Sequence, residues 1–348
     1  MSKTANRKTV SKTVPLGRLE DLAKLAGVSV ATASRALNDS HLVNARTKNR
    51  ILRIARRNDY AGRTSFRARQ HGGSGNISLI IPTPQGRDSS LSDPFYLSLI
   101  GGVGDALWEW GHDLVLSHVQ LTTYEQAAAL IQNGETDGLI ILGQGTLHEE
   151  LNNMARHDIP LVVWGAHLPD QKYCVIGSDN EQGGHRATRH LLRLGRKQIA
   201  YIGDTETAET KLRFQGYARA LKEADIPLRK NLVQTTRFYP ESGMEAIEGI
   251  FAAETPFDAV VAASDTIAIG VIRSLIAHGL SVPGDVSVVG YDDVVVASYC
   301  NPALTTIRQD VRKAGRRLVR KIIRALDGEE INSSYIPTEL VVRDSCGG

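Results

Sequence analysis

The chain has 348 residues, 42 % of them hydrophobic, which is enough for two or three domains and a large buried core. Its net charge of +3 hides a division: residues 1–71 hold 16 Lys and Arg against 4 Asp and Glu, and the rest hold 25 against 34, so an end of +12 is joined to a body of −9. Cys174, Cys300 and Cys346 are too scattered for a disulfide framework or a zinc site, and neither a membrane-spanning apolar run nor a signal-peptide core is present; the expectation is a soluble protein of the reducing cytoplasm.

Residues 1–17 are polar, basic and aperiodic, and are expected to form a disordered arm with nonspecific attraction for phosphates. In residues 18–38 (RLEDLAKLAGVSVATASRALN), Leu19, Leu22, Ala23 and Ala26 recur at i, i+3, i+4 and i+7, one face of a helix of about two turns. Gly27 stops that helix, Val28 turns inward and Ser29 stands where a second helix needs a cap. The second helix buries Ala33, Ala36 and Leu37. It turns Val30, Ala31, Thr32, Ser34, Arg35 and Asn38 outward, with no apolar stripe of their own. Short side chains and one Arg allow close approach to base edges, the Arg bidentate to guanine and small methyls against thymine. Asn44 caps a third helix ending near Tyr60, with Ile51, Leu52, Ile54 and Ala55 inward. Its six basic residues, Arg46, Lys48, Arg50, Arg53, Arg56 and Arg57, either reach phosphates or form a solvated face.

The run Leu-x-Asp-Leu-Ala-x-x-Ala-Gly-Val-Ser, followed by Thr32-Ala33-Ser34-Arg35-Ala36-Leu37-Asn38, resembles the DNA-binding headpiece of the LacI/GalR repressor family. The resemblance implies a helix-turn-helix domain over residues 18–60. DNA contacts are then expected from Leu19, Ser29, Val30, Ala31, Thr32, Ser34, Arg35, Asn38, Asn44 and Thr47. Residues 61–75 end in a Gly/Ser run and read as a hinge. In the family this segment carries Tyr-x-Pro-Asn-x-x-Ala-Arg-x-Leu, and its leucine wedges into the minor groove. Here Tyr60 and Arg67 match, but Gly62 and Arg63 replace Pro-Asn, Phe66 replaces Ala, and Arg69 stands at the leucine position. Arg63, Phe66 and Arg69 are expected to touch DNA, either through a narrow, electronegative minor groove or with Phe66 as the wedge.

From Asn76 onward apolar runs alternate with amphipathic stretches. Strands are expected at 77–81, 114–119, 139–142 and 161–164, with helices from Pro94, Thr123 and His148. The scheme repeats with strands at 173–176, 198–202, 232–236, 259–262 and 286–289, and helices from about Glu181, Glu209, Glu241, Asp265 and Val311. Such repetition predicts an α/β body of two doubly wound parallel-sheet lobes over 76–348, the first about 76–177 plus 308–335, the second about 178–307 plus 336–348. Ligands gather at the carboxyl ends of strands in these folds.

The body resembles the same family's effector domain, itself similar to periplasmic sugar-binding proteins. The resemblance rests on Asp93-Pro94-Phe95-Tyr96, Arg213-x-x-Gly216-Tyr217, Ser264-Asp265, Gly290-Tyr291-Asp292-Asp293, Leu304-Thr305-Thr306-Ile307-x-Gln309-Asp310 and Glu339-Leu340-Val341-Val342-Arg343. Asp292 matches the family's ligand-binding acid and could accept two hydroxyl hydrogen bonds, or could merely cap a turn. Arg213 suits vicinal hydroxyls or a carboxylate, or a surface ion pair. Phe95, Tyr96 and Phe238 either stack on a sugar ring or fill the core. Asp265 either binds ligand or caps its helix, and Gln309 lies in a crossover between lobes; Trp164 is a weaker candidate, while Trp108 and Trp110 read as helix packing.

No catalytic signature competes. Gly101-Gly102-Val103-Gly104 falls inside a helical pattern rather than a strand-to-helix turn, and no Walker loop, G-x-S-x-G elbow or histidine metal spacing is present. No cofactor, metal or enzymatic activity is expected. The expectation is a transcriptional repressor that binds a pseudo-palindromic operator as a homodimer, with possible further pairing of dimers, under control of a small polar effector, favoured as a carbohydrate. A purine or protein co-regulator, a sugar sensor or transport protein, and an architectural DNA protein are the alternatives.

Overall fold

Small apolar residues at helical spacing build the head. The computed structural model describes residues 19–37, 42–44, 46–48, 50–51, 54, 74–82, 92–117, 123–145 and 147–347. The arm at 1–17, most of the hinge at 61–75, and with them Asn38, Arg63, Phe66 and Arg69, lie outside the described residues. The chain divides into two units, a helical head and an α/β body. In the head, α1 (Leu19–Ala26) ends where Gly27 takes φ +60, with Gly27 N–H on the Lys24 carbonyl and Val28 N–H on the Ala23 carbonyl. That pair satisfies two carbonyls a helix end otherwise leaves unpaired. Helix α2 (Val30–Leu37) starts from Ser29, whose Oγ accepts the Thr32 N–H at 3.0 Å. Leu22, Ala26, Ala36 and Ile51 form the head core, with Leu19, Val28, Val43 and Ile54 packed against it.

Along the body, strands and helices alternate: β1 (Asn76–Ile80), α3 (Pro94–Trp110), β2 (Asp113–Ser117), α4 (Tyr124–Gln132), β3 (Gly138–Leu142), α5 (His148–Arg156), β4 (Leu161–Trp164) and β5 (Cys174–Ser178). Then come α6 (Asn180–Arg193), β6 (Ile199–Ile202), α7 (Ala208–Glu223), β7 (Val233–Gln234), α8 (Pro240–Ala252), β8 (Ala259–Ala262), α9 (Asp265–Ala277), β9 (Ser287–Asp292) and β10 (Thr305–Arg308). The sequence closes with α10 (Val311–Leu326), β11 (Ser334–Ile336) and β12 (Glu339–Val341). Two six-stranded sheets result, ordered β11-β5-β4-β3-β1-β2 and β12-β10-β9-β8-β6-β7. Their inner pairs are parallel, such as β1 with β3 and β8 with β9, and β12 enters antiparallel to β10. Central strands are buried along their whole length, which is why they read as unbroken apolar runs. Among the described residues no helix is long and apolar enough to cross a membrane.

Several local expectations shift. The run at 173–176, grouped with the second repeat in sequence order but inside the 76–177 bounds of the first lobe, stands in the first sheet as β5 between β4 and β11. An apolar run specifies a strand but not its sheet, and α10, which packs on β3, β4 and β5, arrives only near the end of the chain. The strand expected at 232–236 shrinks to Val233–Gln234, because Lys230–Leu232 form a 3-10 turn. Trp108 is 73 % exposed rather than packed, since Leu99, Val103, Ala106 and Leu107 already fill the core side of α3.

The chain crosses between lobes from β5 to α6, back from β10 to α10, and again from β11 to β12. Helices α6 and α7 pack closely because Gly184 and Gly216 leave room: a Cβ at Gly184 would meet the Arg213 carbonyl, and one at Gly216 the Glu181 carbonyl. Neither backbone can yield, so Gly216→Ala is expected to cost about 1–3 kcal/mol by overpacking. Urea unfolding would measure it, with an unchanged midpoint as the contrary result.

Candidate functional site

In each lobe the strand order reverses beside the first strand, β1 in one and β6 in the other. Loops from the carboxyl ends of neighbouring strands converge at such a point. Asp292 ends β9 and Gln309 follows β10. Arg213 projects from the middle of α7, and Asn180 opens α6 after β5. These side chains meet. Arg213 donates from Nε to Asn180 Oδ1 at 2.8 Å and from Nη1 to the Ala263 carbonyl at 2.6 Å. The same Nη1 lies 3.7 Å from Asp292 Oδ1, and the guanidinium carbon lies 3.8 Å from the centroid of the Tyr291 ring. Gln309 Nε2 donates to Asp292 Oδ1 at 2.6 Å. Arg213 is 7 % exposed and Asp292 8 %, so this is a buried, mutually oriented set and not a surface ion pair. Asp292 also holds φ +118, a conformation that costs a non-glycine residue energy and gathers at functional sites.

Burial dominates the electrostatics. It pushes the Asp292 carboxyl up to about 7, against the pull of Arg213 and with the further push of Asp93. Burial likewise raises Asp93, which accepts the Phe95 N–H at 2.8 Å at the start of α3, and Glu209, which sits in the first turn of α7. Phe95 packs against the core of the second lobe, 5.7 Å from the Tyr96 ring and 6.0 Å from the Trp164 ring. Tyr96 in turn lies in the field of Asp93, Glu209, Asp292 and Arg213.

The structure therefore brings together Phe95, Tyr96, Arg213, Asp292 and Gln309. Phe238 is half-buried against the core of the second lobe. Asp265 departs from expectation: it is fully buried, with one carboxylate oxygen accepting the Thr306 hydroxyl and the other the Val294 N–H at 2.9 Å. Ser264, not Asp265, caps α9, accepting the Ile267 N–H at 3.2 Å. Asp265 thus braces the turn after β9 from behind, and burial raises its pKa well above the usual carboxylate range. Asn180, which accepts from Arg213 Nε, is not singled out by the sequence; its place just after a strand is the one signal it carries. Open cavities of about 290 Å³ beside Phe251 and Phe257 and about 240 Å³ between Ile272 and Cys300 hold none of these groups. The convergence of polar side chains, not hollow volume, marks the site.

In the head, Ser29, Val30, Ala31 and Arg35 are exposed, and Thr32 and Ser34 half-exposed, along α2 and its cap. Ser29 Oγ also pairs with Thr32 Oγ1 at 2.7 Å. Asn44 is exposed and accepts the Thr47 N–H at 2.8 Å, capping the helical residues that follow, while Thr47 is half-buried. Leu19, expected to face DNA, is half-buried against the head core, because it continues the apolar face of Leu22 and Ala26.

Comparison with known proteins agrees with both units. Residues 18–62 match the family described as bacterial regulatory proteins, lacI family, and residues 188–346 match a periplasmic binding protein-like domain. The probable HTH-type transcriptional repressor ExuR of Bacillus subtilis (strain 168) is 30 % identical over 94 % of this chain and 97 % of its own. The HTH-type transcriptional regulator CelR of Thermobifida fusca is 31 % identical over 94 % and 97 %. A solved complex of the transcriptional regulator CelR with cellobiose superposes at a TM-score of 0.69, with 29 % identity, covering 95 % of this chain and 100 % of that one. A helix-turn-helix head, a two-lobed body and relatives matched over nearly their whole length place this chain in the LacI family of bacterial transcriptional regulators.

Proposed function

We propose that the chain is a repressor that reads a pseudo-palindromic operator as a homodimer, and that a small polyhydroxyl effector of the carbohydrate class, held between the lobes of the body, sets its affinity for DNA. The observation that carries this reading is the convergence of Arg213, Asp292 and Gln309 at strand ends, beside Phe95 and Tyr96. Paired donors and acceptors suit hydroxyls, and aromatic faces suit the apolar side of a sugar ring. The cellobiose in the CelR complex supports the same ligand class. Lobe closure around the ligand would bias how the two heads are presented, to the extent that the ligand binds one closure state better.

One head alone reads too few bases for a specific site, so two must act together in a homodimer. Support comes from the second lobe. Ile276 is 51 % exposed, Val295 72 % and Tyr299 81 %, and Ile276 lines the same groove as Ile269, Ile272 and Cys300. An apolar surface of this kind is what a subunit contact covers. The test is selection of duplex DNA from a random library by the full chain, followed by affinity measurement with and without a panel of sugars. An inverted repeat is expected, with at least one sugar changing its affinity about tenfold or more, the size of a coupling of 1–3 kcal/mol. A selected site lacking two-fold symmetry overturns the dimeric reading. A response to a purine base and to no sugar overturns the carbohydrate one.

A further inference from the structure

The turn that follows β9 is strained at two consecutive positions. Asp292 holds φ +118 and Asp293 φ +57, both in the region that an L side chain disfavours. The neighbouring strand holds them there. Strand β10 runs parallel to β9 with Arg308 opposite Asp292, and Arg308 and Gln309, adjacent in sequence, each take one of the two adjacent acids. Gln309 Nε2 donates to Asp292 Oδ1 at 2.6 Å. Arg308 Nε donates to Asp293 Oδ2 at 2.6 Å, and Arg343, from the segment after β12, donates from Nη2 to Asp293 Oδ1 at 2.6 Å. Both oxygens of Asp293 are thus taken by guanidiniums, and its side chain is only 9 % exposed. The two cations are anchored in turn. Arg343 Nη1 donates to the Leu304 carbonyl at 2.7 Å, and Arg308 Nη1 reaches Glu339 at 3.2 Å, so two cations and two acids form a balanced network. The backbone is pinned as well: the Asp293 N–H reaches Thr306 Oγ1 at 3.4 Å, and the Val294 N–H reaches Asp265 at 2.9 Å.

We propose that Asp293 is a positioning residue for the effector site: clamped between Arg308 and Arg343, it locks the strained turn that presents the Asp292 carboxylate to the ligand. This role rests on the reading of Asp292 as a ligand-binding acid and deepens it. The adjacent acids divide the work, Asp292 serving the ligand and Asp293 the scaffold. Two charge-assisted hydrogen bonds on one carboxylate oppose the relaxation of both residues to negative φ. Such a relaxation rotates the neighbouring carboxylate away from Gln309 and Arg213, and a binding group is only as precise as the shell that supports it.

Asp293→Asn in the full-length chain removes the charge while keeping a residue that accepts φ +57, so it tests the clamp and not the backbone preference of the side chain. The first measurement needs no ligand. A crystal structure of the variant is expected to show Asp292 turned from φ +118 and its bond to Gln309 broken; an unmoved turn with that bond intact overturns the clamp. The second is calorimetry with whichever of cellobiose, glucose, galactose and ribose most raises the melting temperature of the parent chain. The variant is expected to bind that sugar at least ~10-fold more weakly. It is also expected to lose the rise in affinity from pH 5.5 to pH 8 that an ionising Asp292 gives the parent. A variant that melts lower yet keeps both the parent's affinity and its pH dependence makes Asp293 a stabilising residue only, and sinks the positioning role. Arg308 lies at the surface, so its variants test the clamp even where Asp293→Asn fails to fold. Arg308→Lys, which keeps the cation, should retain more affinity than Arg308→Gln; equal losses rule out an ionic clamp. If no sugar raises the melting temperature of the parent, the carbohydrate reading falls, and the crystallographic comparison decides the clamp by itself.

Discussion

Replacing Asp292 by Ala is expected to abolish the effector response. A buried carboxylate that accepts two ligand hydroxyls contributes about 1.5–3 kcal/mol per charge-assisted hydrogen bond. Losing both weakens effector binding by about 3–5 kcal/mol, on the order of hundreds- to thousands-fold. The variant also leaves Arg213 without its ionic partner at 3.7 Å, so part of the loss comes from a buried, unpaired cation. Asp292→Asn separates the two effects: it keeps the shape and tolerates φ +118 better than Ala, yet removes the charge. Titration of the parent gives the complementary result. Burial holds the Asp292 carboxyl up at about 7, and the ionised form is the better acceptor, so effector affinity should rise from pH 5.5 to pH 8. Stability without ligand follows the opposite sign. A carboxyl whose pKa is raised on folding favours the native state at low pH, and that contribution is lost as pH climbs from about 4 towards 7. Calorimetric affinity across this range checks the first effect. An effector affinity that ignores both Asp292→Asn and pH would remove Asp292 from the site.

Arg35→Ala carries the second large effect, on DNA. Arg35 is exposed on α2, next to the half-exposed Thr32 and Ser34, where a bidentate pair with guanine is available. Its loss should cost about 1–3 kcal/mol of affinity for the selected operator and leave binding to random duplex nearly unchanged. Fluorescence anisotropy on both duplexes at one fixed salt concentration measures the difference. An equal loss on each would make Arg35 a phosphate contact, which positions the helix without reading sequence.

The head was legible because its spacing encodes it twice over. Leu22, Ala23 and Ala26 place one face inward, and Gly27 followed by Ser29 marks both a helix end and a helix start, and these residues do exactly those two jobs. Leu19 was harder, since an apolar residue at a helix start can either close the core or touch a sugar-phosphate backbone, and periodicity does not distinguish these. In the body, alternating apolar runs gave the two wound sheets. The runs alone do not give the order β11-β5-β4 within the first sheet, because strand order depends on which distant helix covers the strand. Arg213 and Asp292 stood out as charges beside apolar runs. Asp265 stood out equally, yet its carboxylate faces Thr306 and Val294, since a strand-end acid is as useful for pinning a neighbouring turn as for holding ligand. Asn180 escapes the sequence for the converse reason: polar residues in a first helical turn are so often simple caps that their position alone says nothing of the arginine they hold.

The threefold passage of the backbone between lobes bears on how the protein is made. Residues 311–336 supply α10 and β11 to the first sheet, and β12 at Glu339–Val341 pairs with β10 in the second. A nascent chain emerging from the ribosome therefore holds neither lobe whole until the final few dozen residues are out, and its apolar strands wait uncovered in the meantime. A premature stop late in the message would not trim a tail; it would leave both halves unfinished at once, and such fragments should be cleared by proteolysis rather than survive as partial regulators.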